Sequence, residues 1–435
     1  MVNLLIFSGN NEDEEIMRQD QKFWAALLPL FFILIIDTMG VGLVFPIFGP
    51  LFINKSTTLL SVNVSYFYRD ILYAITCVSF TFCMFLGAPI LGDLSDKIGR
   101  KKVLMICLLG TSVGLILSGI AIQINNIPLL LFSRALTGFA AGSQPISQAA
   151  IADVSNQKNK AANLSLISLA NCLGFLMGPL FGGYLADNHW LGQSSYALPF
   201  FASAGLAMSN FILLYFCFTE TFCSEKMSKV ELTKAFGLFV KAFKHPIIRV
   251  LAGIFLLHEI AWSLYIQYSG IYLAKKYSYT PEKLGFFMSW IALGAGFTLL
   301  VVSRLVSRWK LQQVVFVCMV SGVFIWLGLI FSNEWVEWLL SFPNTVVDIL
   351  GYIFLIAIFS NSVSRQEQGW AMGVASAMAS VGWTTGAILS GTIGQINEYF
   401  PFLFSALISV LAIIIAYNQN WLSESEPLDV VASSE

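Results

Sequence analysis

The stretch Gly92-Asp93-Leu94-Ser95-Asp96-Lys97-Ile98-Gly99-Arg100-Lys101-Lys102 joins two apolar segments, 71–92 and 103–123. Each segment is long enough to cross about 30 Å of hydrocarbon. Six of the eleven residues in the stretch are charged, whereas only 11% of the whole chain is charged. Four of the six are Lys or Arg, which indicates a cytoplasmic loop by the positive-inside rule. Two carboxylates alternate with the basic residues, and glycines at either end allow a tight backbone, so the order of residues is more specific than a solvated loop needs.

The composition of the chain excludes a soluble globular protein. Of its 435 residues, 57% are hydrophobic, and the mean hydropathy is +0.75. Such a surface cannot face water. The formal net charge of −1 gives no reason to expect a nucleic-acid partner. The seven cysteines lack the paired C-x-x-C spacing of a metal site, so we expect them to be small buried hydrophobic residues and expect no metal.

Apolar segments recur along the chain in two groups of six, separated by a polar stretch. The sequence therefore predicts an all-α integral membrane protein with twelve transmembrane helices in two six-helix pseudo-repeats. The predicted segments are 24–46, 71–92, 103–123, 128–150, 164–186, 197–219, 248–273, 284–306, 312–332, 344–363, 369–392 and 400–418. The predicted domains are an N-terminal tail (1–22), a bundle (23–219), a linker (220–247), a second bundle (248–420) and a C-terminal tail (421–435).

The distribution of Lys and Arg predicts the orientation of the chain. With the N-terminus inside, 18 of these residues fall in inside segments and 5 in outside loops, and Arg134 lies within the membrane. Both termini are therefore expected to be cytoplasmic, and the expected location is a bacterial inner membrane. Met17 is an alternative start of the chain. The linker is either a plain tether or an amphipathic helix lying on anionic lipid.

Two ionisable residues within predicted helices are candidates for function, because such residues are costly in a membrane. Asp37 lies in the first segment and Arg134 in the fourth. If both helices end where predicted, the depths of the two side chains differ by less than one helical turn. A membrane pair between Asp37 and Arg134 is therefore expected in at least one conformation. It is either a structural pair or a proton-coupled switch.

The seventh segment carries His258-Glu259 near its middle. A carboxyl group in a medium of low dielectric constant is easier to protonate than one in water, as a proton carrier requires. Glu259 has no cation close by in sequence except His258, which we expect to be neutral, whereas a guanidinium beside Asp37 would favour the ionised form of Asp37. We therefore expect proton coupling at Glu259, with Asp37 as the alternative.

Polar and aromatic residues of several segments are candidates to line a central cavity. Gln144 and Gln148 lie four residues apart on one face, where amides either join helices or line a cavity. Aromatic residues in membrane helices supply cavity walls or serve packing and interface belts. The candidate cavity residues are Arg134, Gln144, Gln148, Asn171, His258, Trp262, Gln267, Trp290 and Trp383.

The fifth segment contains the run Gly174-Phe175-Leu176-Met177-Gly178-Pro179-Leu180-Phe181-Gly182-Gly183. Gly174, Gly178 and Gly182 share one helix face and allow another backbone to approach, while Pro179 removes a helical hydrogen bond. The residues alone thus predict a packing and bending element.

Four of these features resemble motifs of the major facilitator superfamily: the charged stretch, the glycine run and the stretches around Asp37 and Arg134. Residues 92–102 match its signature G-x-L-S-D-[RK]-x-G-R-[RK]-[RK], and residues 174–183 resemble G-x-x-x-G-P-x-x-G-G of its antiporter branches. The phrases Ala150-Ile151-Ala152-Asp153 and Pro199-Phe200-Phe201-Ala202 are similar to those of tetracycline exporters among the drug:proton antiporters. In the second half, only Ser364-Arg365-Gln366 matches, and loosely, so the substrate need not be tetracycline.

The resemblance implies alternating access around a central cavity and proton-driven export. It also implies a conformational switch formed by Gly92, Asp93, Asp96, Gly99, Arg100 and Asp153. In the outward-facing state Asp96 should approach the start of the eleventh helix, and Arg100 should pair with Asp153.

The leading hypothesis is thus a proton-coupled exporter of an amphipathic small molecule, either a drug-like compound or a metallophore. A proton symporter that imports a small nutrient is the alternative, and a membrane receptor or scaffold is a third. The sequence shows no nucleophile–base constellation of an enzyme and no G-x-x-x-x-G-K-[ST] loop of an ATP-driven pump. We expect a monomer whose partners are its substrate and membrane lipid, with no cofactor beyond the proton gradient.

Overall fold

The computed structural model describes residues 11–55, 57, 59–154, 160–187, 196–220, 245–306, 309–363 and 368–418. This part of the chain is helical, because a backbone in hydrocarbon must satisfy its own hydrogen bonds. The helices are α1 (Asn11–Gly42), α2 (Val44–Ile53), α3 (Tyr66–Ile98), α4 (Arg100–Gln123), α5 (Ile127–Ala140), α6 (Gln144–Val154), α7 (Lys160–Ala186), α8 (Leu198–Cys217), α9 (Pro246–Tyr277), α10 (Pro281–Val306), α11 (Leu311–Ile330), α12 (Glu334–Asn361), α13 (Gln368–Ile396) and α14 (Phe400–Asn418).

The helices confirm the predicted fold class. Within the described residues, 11 helices are long and apolar enough to cross a membrane, counting Leu27–Ile53 as one. The fourth predicted span is also present, but the short 3-10 helix Ala141–Ser143 interrupts it and divides it into α5 and α6. Counted as one, this broken helix completes the twelve predicted spans.

Several helices extend beyond their predicted ends. The first span continues to Ile53 instead of ending at 46, and α12 begins at Glu334 instead of 344. Pro50 and Pro343 both lie inside helices. Packing against neighbouring helices allows these proline-containing turns to stay helical in a membrane protein. The longer helices change the depth at which three acidic residues lie, as described below.

The described helices form two bundles. Most of helices α1–α8 pack mainly against one another, and so do α9 and α11–α14, whereas α10 packs most extensively on α7 of the first group. Between them, α3 packs on α13 and α7 packs on α10. Most of the linker and all of residues 421–435 lie outside the described residues, so the domain boundaries and the amphipathic linker helix stay predictions.

The two bundles are sealed against each other at the end that carries Asp70 and Lys275, which we call the closed end. There the Tyr73 hydroxyl donates to the carbonyl of Gln267 at 2.9 Å. The carboxylate of Asp70 pairs with the ammonium of Lys275. Nearer the middle, Ser289 Oγ donates to the carbonyl of Leu176 at 2.9 Å. The opposite end carries the charged stretch 92–102, and we call it the loop end.

Candidate functional site: a central cavity with two carboxylates

A cavity of about 410 Å³ lies between the two bundles. Its polar lining residues are Gln144, Ser168, Asn171, Cys172, Glu259, Thr345 and Asp348. Its aromatic lining residues are Phe45, Phe175, Trp262, Tyr352 and Trp383. The cavity therefore has an amide side from the first bundle and an acidic side from the second.

The acidic side is formed by Glu259 of α9 and Asp348 of α12, which are both buried. The indole Nε1 of Trp383 donates to Glu259 Oε2 at 3.1 Å. His258 Nε2 lies 3.3 Å from Asp348 Oδ1, although the two atoms are not aligned for a hydrogen bond. Glu259 thus accepts a hydrogen bond within the second bundle, whereas Asp348 lies beside His258 without one between these two atoms.

The amide side is formed by a small polar network. Gln144 Nε2 and Thr38 Oγ1 both donate to Asn171 Oδ1, at 3.2 and 3.0 Å. Next to this network Ser143 Oγ donates to a carboxylate oxygen of Asp37, which is buried. Gln144 and Asn171 line the cavity, whereas Asp37 does not belong to the lining.

The expected membrane pair of Asp37 with Arg134 is not formed in this structure. The guanidinium of Arg134 stacks on the ring of Phe80, 4.4 Å from its centroid, and its Nε and Nη1 have no hydrogen-bond partner among the described residues. Asp37 instead contacts Ser143, which lies nine residues, or about 13 Å along a helix, beyond Arg134. The prediction placed Asp37 too close to the end of the first span, because that span continues to Ile53.

The other predicted cavity residues divide into two groups. Gln144, Asn171, Trp262 and Trp383 belong to the described lining of the cavity, and so does Glu259, the candidate for proton coupling. Five of the predicted residues are absent from the described lining: Arg134, Gln148, His258, Gln267 and Trp290.

Two of this second group serve other contacts. Gln267 donates to Ser263 Oγ and to the carbonyl of Trp383, behind the cavity wall. Trp290 donates to the carbonyl of Trp338 on a partly exposed surface and packs against Phe342.

Sequence reasoning missed Asp348. The predicted tenth segment began at 344, so Asp348 lay at its edge and was not recognised as a membrane carboxylate. In the structure α12 begins at Glu334, and Asp348 lies in the middle of the helix. The sequence does carry a signal for this position. An amphipathic stretch, 334–343, precedes Asp348, and an apolar run follows it, which together indicate a longer helix with Asp348 inside it.

The charged stretch at the loop end forms several ion pairs. Arg100 Nε lies 2.5 Å from Asp153 Oδ2, a pair that the family resemblance predicted for the outward-facing state. Its Nη1 lies 3.5 Å from Asp96 Oδ1, and Lys97 pairs with Asp93 at 2.9 Å. The approach of Asp96 to the start of α13 stays a prediction.

Gly99 ends α3 with a φ of 101°, a backbone conformation that favours glycine. Gly92, by contrast, has open space around it. The tight backbone expected at both ends of the stretch is therefore seen at Gly99.

The glycine run of α7 packs on two different helices. A Cβ atom at Gly178 would lie 2.6 Å from the carbonyl oxygen of Met39, and those at Gly174 and Gly182 would also meet the backbone of α1 or its continuation at Leu43. A Cβ atom at Gly183 would lie 2.4 Å from the carbonyl oxygen of Pro281 in the second bundle. The run thus holds α7 against α1 and, at the closed end, against α10.

The helices, the cavity between two bundles and the seal at one end define a multi-pass membrane transporter. The model of the Major Facilitator Superfamily matches residues 30–364 and 251–433. The chain belongs to this superfamily, which confirms the resemblance and the prediction that the chain is a transporter and not an enzyme.

Relatives and solved structures agree with this membership. Multidrug resistance protein 2 of Bacillus subtilis (strain 168) is 22% identical over 388 residues, which are 86% of this chain and 90% of that protein. Quinolone resistance protein NorA of Staphylococcus aureus (strain COL) is 24% identical over 397 residues, which are 89% of this chain and 94% of that protein. A bacterial homolog of the human lysosomal transporter Spinster, in an inward-facing and unoccupied conformation, shares the fold with a TM-score of 0.72 at 13% identity, over 94% of this chain and 99% of that chain.

Proposed function

We propose that this chain exports amphipathic organic cations in exchange for protons, by alternating access of its central cavity. The observation that carries the proposal is the pair of carboxylates, Glu259 and Asp348, in the lining of one cavity. The curated relatives named above are multidrug and quinolone resistance proteins, which supports a drug-like substrate.

The lining of the cavity favours a cation. Among its described lining residues, two are acidic and none is Lys or Arg. Aromatic side chains, including Trp262 and Trp383, provide apolar walls and faces that attract cations. A volume of about 410 Å³ is within the range of about 300–1,000 Å³ that is usual for small-molecule sites. A negatively charged metallophore is disfavoured by the same two carboxylates.

The same carboxylates provide the proton coupling. Removing a carboxyl group from water favours its protonated form, and a cationic substrate favours the ionised form. Protons and substrate therefore compete for Glu259 and Asp348, so that loading one releases the other. Asp37, the alternative site, contacts Ser143 outside the cavity lining. We therefore assign the coupling to the acidic side of the cavity.

The orientation follows from the distribution of basic residues. With both termini cytoplasmic in a bacterial inner membrane, the closed end faces outward and the cavity of this structure is that of an inward-facing state. We propose that the protein works as a monomer in membrane lipid and that transport requires the proton gradient but no cofactor.

The test uses proteoliposomes, an imposed pH gradient and ethidium as the probe cation. For Glu259→Gln we expect binding to weaken by about tenfold at most, equal to about 1.4 kcal/mol, because Asp348 remains. We expect gradient-driven accumulation to be lost. Glu282→Gln is the matched control, because Glu282 is an exposed acid at the start of α10. Uphill transport at the wild-type rate in Glu259→Gln would exclude Glu259 as the coupling site.

The alternative of nutrient import is decided in the same vesicles. In an antiporter, ethidium that enters the vesicle drives protons out, so the lumen becomes more alkaline. In a symporter, substrate and protons enter together, so the lumen becomes more acidic. The pH of the lumen on adding substrate distinguishes the two.

A further inference from the structure

An ion pair joins the two bundles at the closed end, away from the central cavity. Asp70 lies in the second turn of α3, and Lys275 lies in the last turn of α9. The ammonium of Lys275 contacts Asp70 Oδ2. Asp70 Oδ1 is buried and has no hydrogen-bond partner among the described residues. The carboxylate is thus held by one cation that comes from the other bundle.

The neighbouring basic residues are engaged elsewhere. Arg69 donates to backbone carbonyls of the loop and helix before it, at Phe52, Leu60, Ser61 and Val64. Lys276 contacts the Tyr272 hydroxyl within its own bundle. Lys55 lies 4.7 Å from the centroid of the Tyr66 ring. Among the described residues, Lys275 is therefore the cation that compensates Asp70.

The two members of the pair differ in their access to water. The side chain of Asp70 is 0% exposed, whereas that of Lys275 is 26% exposed. Lys275 lines an open pocket of about 680 Å³ at the closed end, together with residues of both bundles, such as Lys55 and Glu398. Water can thus reach the ammonium but not the carboxylate.

The bundles are in close contact around this pair. A Cβ atom at Gly391 would lie 2.6 Å from Cβ of Ala74 and 2.7 Å from the carbonyl oxygen of Asp70. One turn further in, Tyr73 donates to the carbonyl of Gln267. The bundles cannot separate at this end without breaking the contact between Asp70 and Lys275.

We propose that Asp70 and Lys275 form the latch of the outer gate, intact while the closed end is sealed and broken when the cavity opens to that side. The inference rests on the alternating access of the proposed function, but not on the identity of the substrate.

The burial of the pair predicts an asymmetry between its two members. Loss of Lys275 leaves an uncompensated carboxylate in the sealed interface, which is strongly unfavourable. Opening the gate would then hydrate Asp70, so the population of the open state increases relative to the closed state. Loss of the Asp70 charge leaves an ammonium that already reaches water, so it shifts the gate less. Removal of both charges should be close to neutral.

The experiment measures access to the native Cys172, which lines the central cavity. Membrane vesicles of both orientations are treated with a membrane-impermeant maleimide, and modification of the Cys172 peptide is quantified by mass spectrometry. In the wild type we expect labelling only from the loop end. In Lys275→Gln, labelling from the closed end should rise about tenfold or more, the equivalent of about 1.4 kcal/mol.

Two further variants keep the test decisive. Asp70→Asn combined with Lys275→Gln should return labelling toward the wild-type level, because no buried charge is left unpaired. Lys276→Gln is the matched control, a neighbouring lysine whose contact stays within one bundle. The latch is overturned if Lys275→Gln labels like the wild type, if Lys276→Gln raises labelling as much, or if the double variant labels as strongly as Lys275→Gln.

The labelling requires no transported compound, so its failure and that of the proposed function are distinguishable. If the variants label as expected but ethidium is not transported, the latch stands and the substrate assignment is wrong. If the wild type labels only from the outer face of cells, the assumed orientation is wrong. The latch can still be tested in that case, by adding the maleimide on the side from which Cys172 of the wild type is not modified.

Discussion

At the scale of single residues, Glu220 connects the charged stretch to the end of the first bundle. Its two carboxylate oxygens accept hydrogen bonds from the backbone N–H groups of Arg100 and Lys101, at 2.9 and 3.1 Å. Both N–H groups lie in the first turn of α4, where helix geometry offers no intrahelical acceptor and a negative charge is favourable. Lys101 in turn donates to the carbonyl of Tyr215 at 2.8 Å. The loop is thus fixed to the point where the linker begins.

Glu220→Ala removes this cap of α4. Loss of a helix cap is expected to lower the stability by about 1 kcal/mol. The measurement is the thermal unfolding midpoint of the detergent-solubilised protein, compared with Glu282→Ala, an exposed acid in the first turn of α10. An unchanged midpoint in Glu220→Ala, or an equal decrease in both variants, would contradict the capping role.

At the scale of secondary structure, α7 has two glycine contacts with different consequences. Gly178 faces α1 within the first bundle, whereas Gly183 faces α10 across the seal at the closed end. At both positions the nearest atom to an added Cβ is a backbone carbonyl oxygen, which cannot move aside as a flexible side chain can. One helix therefore contributes both to the stability of a bundle and to the closure of the gate.

Alanine substitutions separate these two contributions. Gly178→Ala should lower stability by about 1–3 kcal/mol through overpacking, measured as a lower unfolding midpoint. Gly183→Ala should instead weaken the seal and raise labelling of Cys172 from the closed end, with a smaller effect on the midpoint. Gly40→Ala is the control, because nothing lies within 4 Å of its added Cβ. If Gly178→Ala and Gly183→Ala give the same two readouts, the division into bundle and seal contacts is wrong.

At the scale of the whole molecule, the orientation predicted from charge can be tested directly. Val62 is exposed in the loop between α2 and α3 at the closed end. In intact cells, Val62→Cys should react with an impermeant maleimide, whereas a tag placed after residue 435 should be detected only after permeabilisation. The wild type is the control for its native cysteines. Labelling of Val62→Cys only in permeabilised cells would reverse the assigned topology, and with it the proposed direction of transport.

Much of this protein was determined by its sequence alone. Long apolar segments have one stable solution in a bilayer, because a helix satisfies its own backbone hydrogen bonds. The all-α fold and the close packing of the glycine run follow from local patterns. The membership of the superfamily and the contact of Arg100 with Asp153 were implied by the resemblance of the motifs to those of known transporters. Glu259 could also be found, since it lies far from either end of its apolar segment.

What the tertiary structure decided concerns polar residues near the predicted helix ends. Asp70 lay just outside its predicted segment, and Asp348 lay at the edge of its own. The predicted first span ended at 46, whereas the helix continues to Ile53. Hydropathy marks where a helix leaves hydrocarbon, but packing between helices determines where the helix ends. The depth of Asp37, the second carboxylate of the cavity and the ion pair across the closed end all depend on those ends. They became visible only when the two bundles were placed against each other.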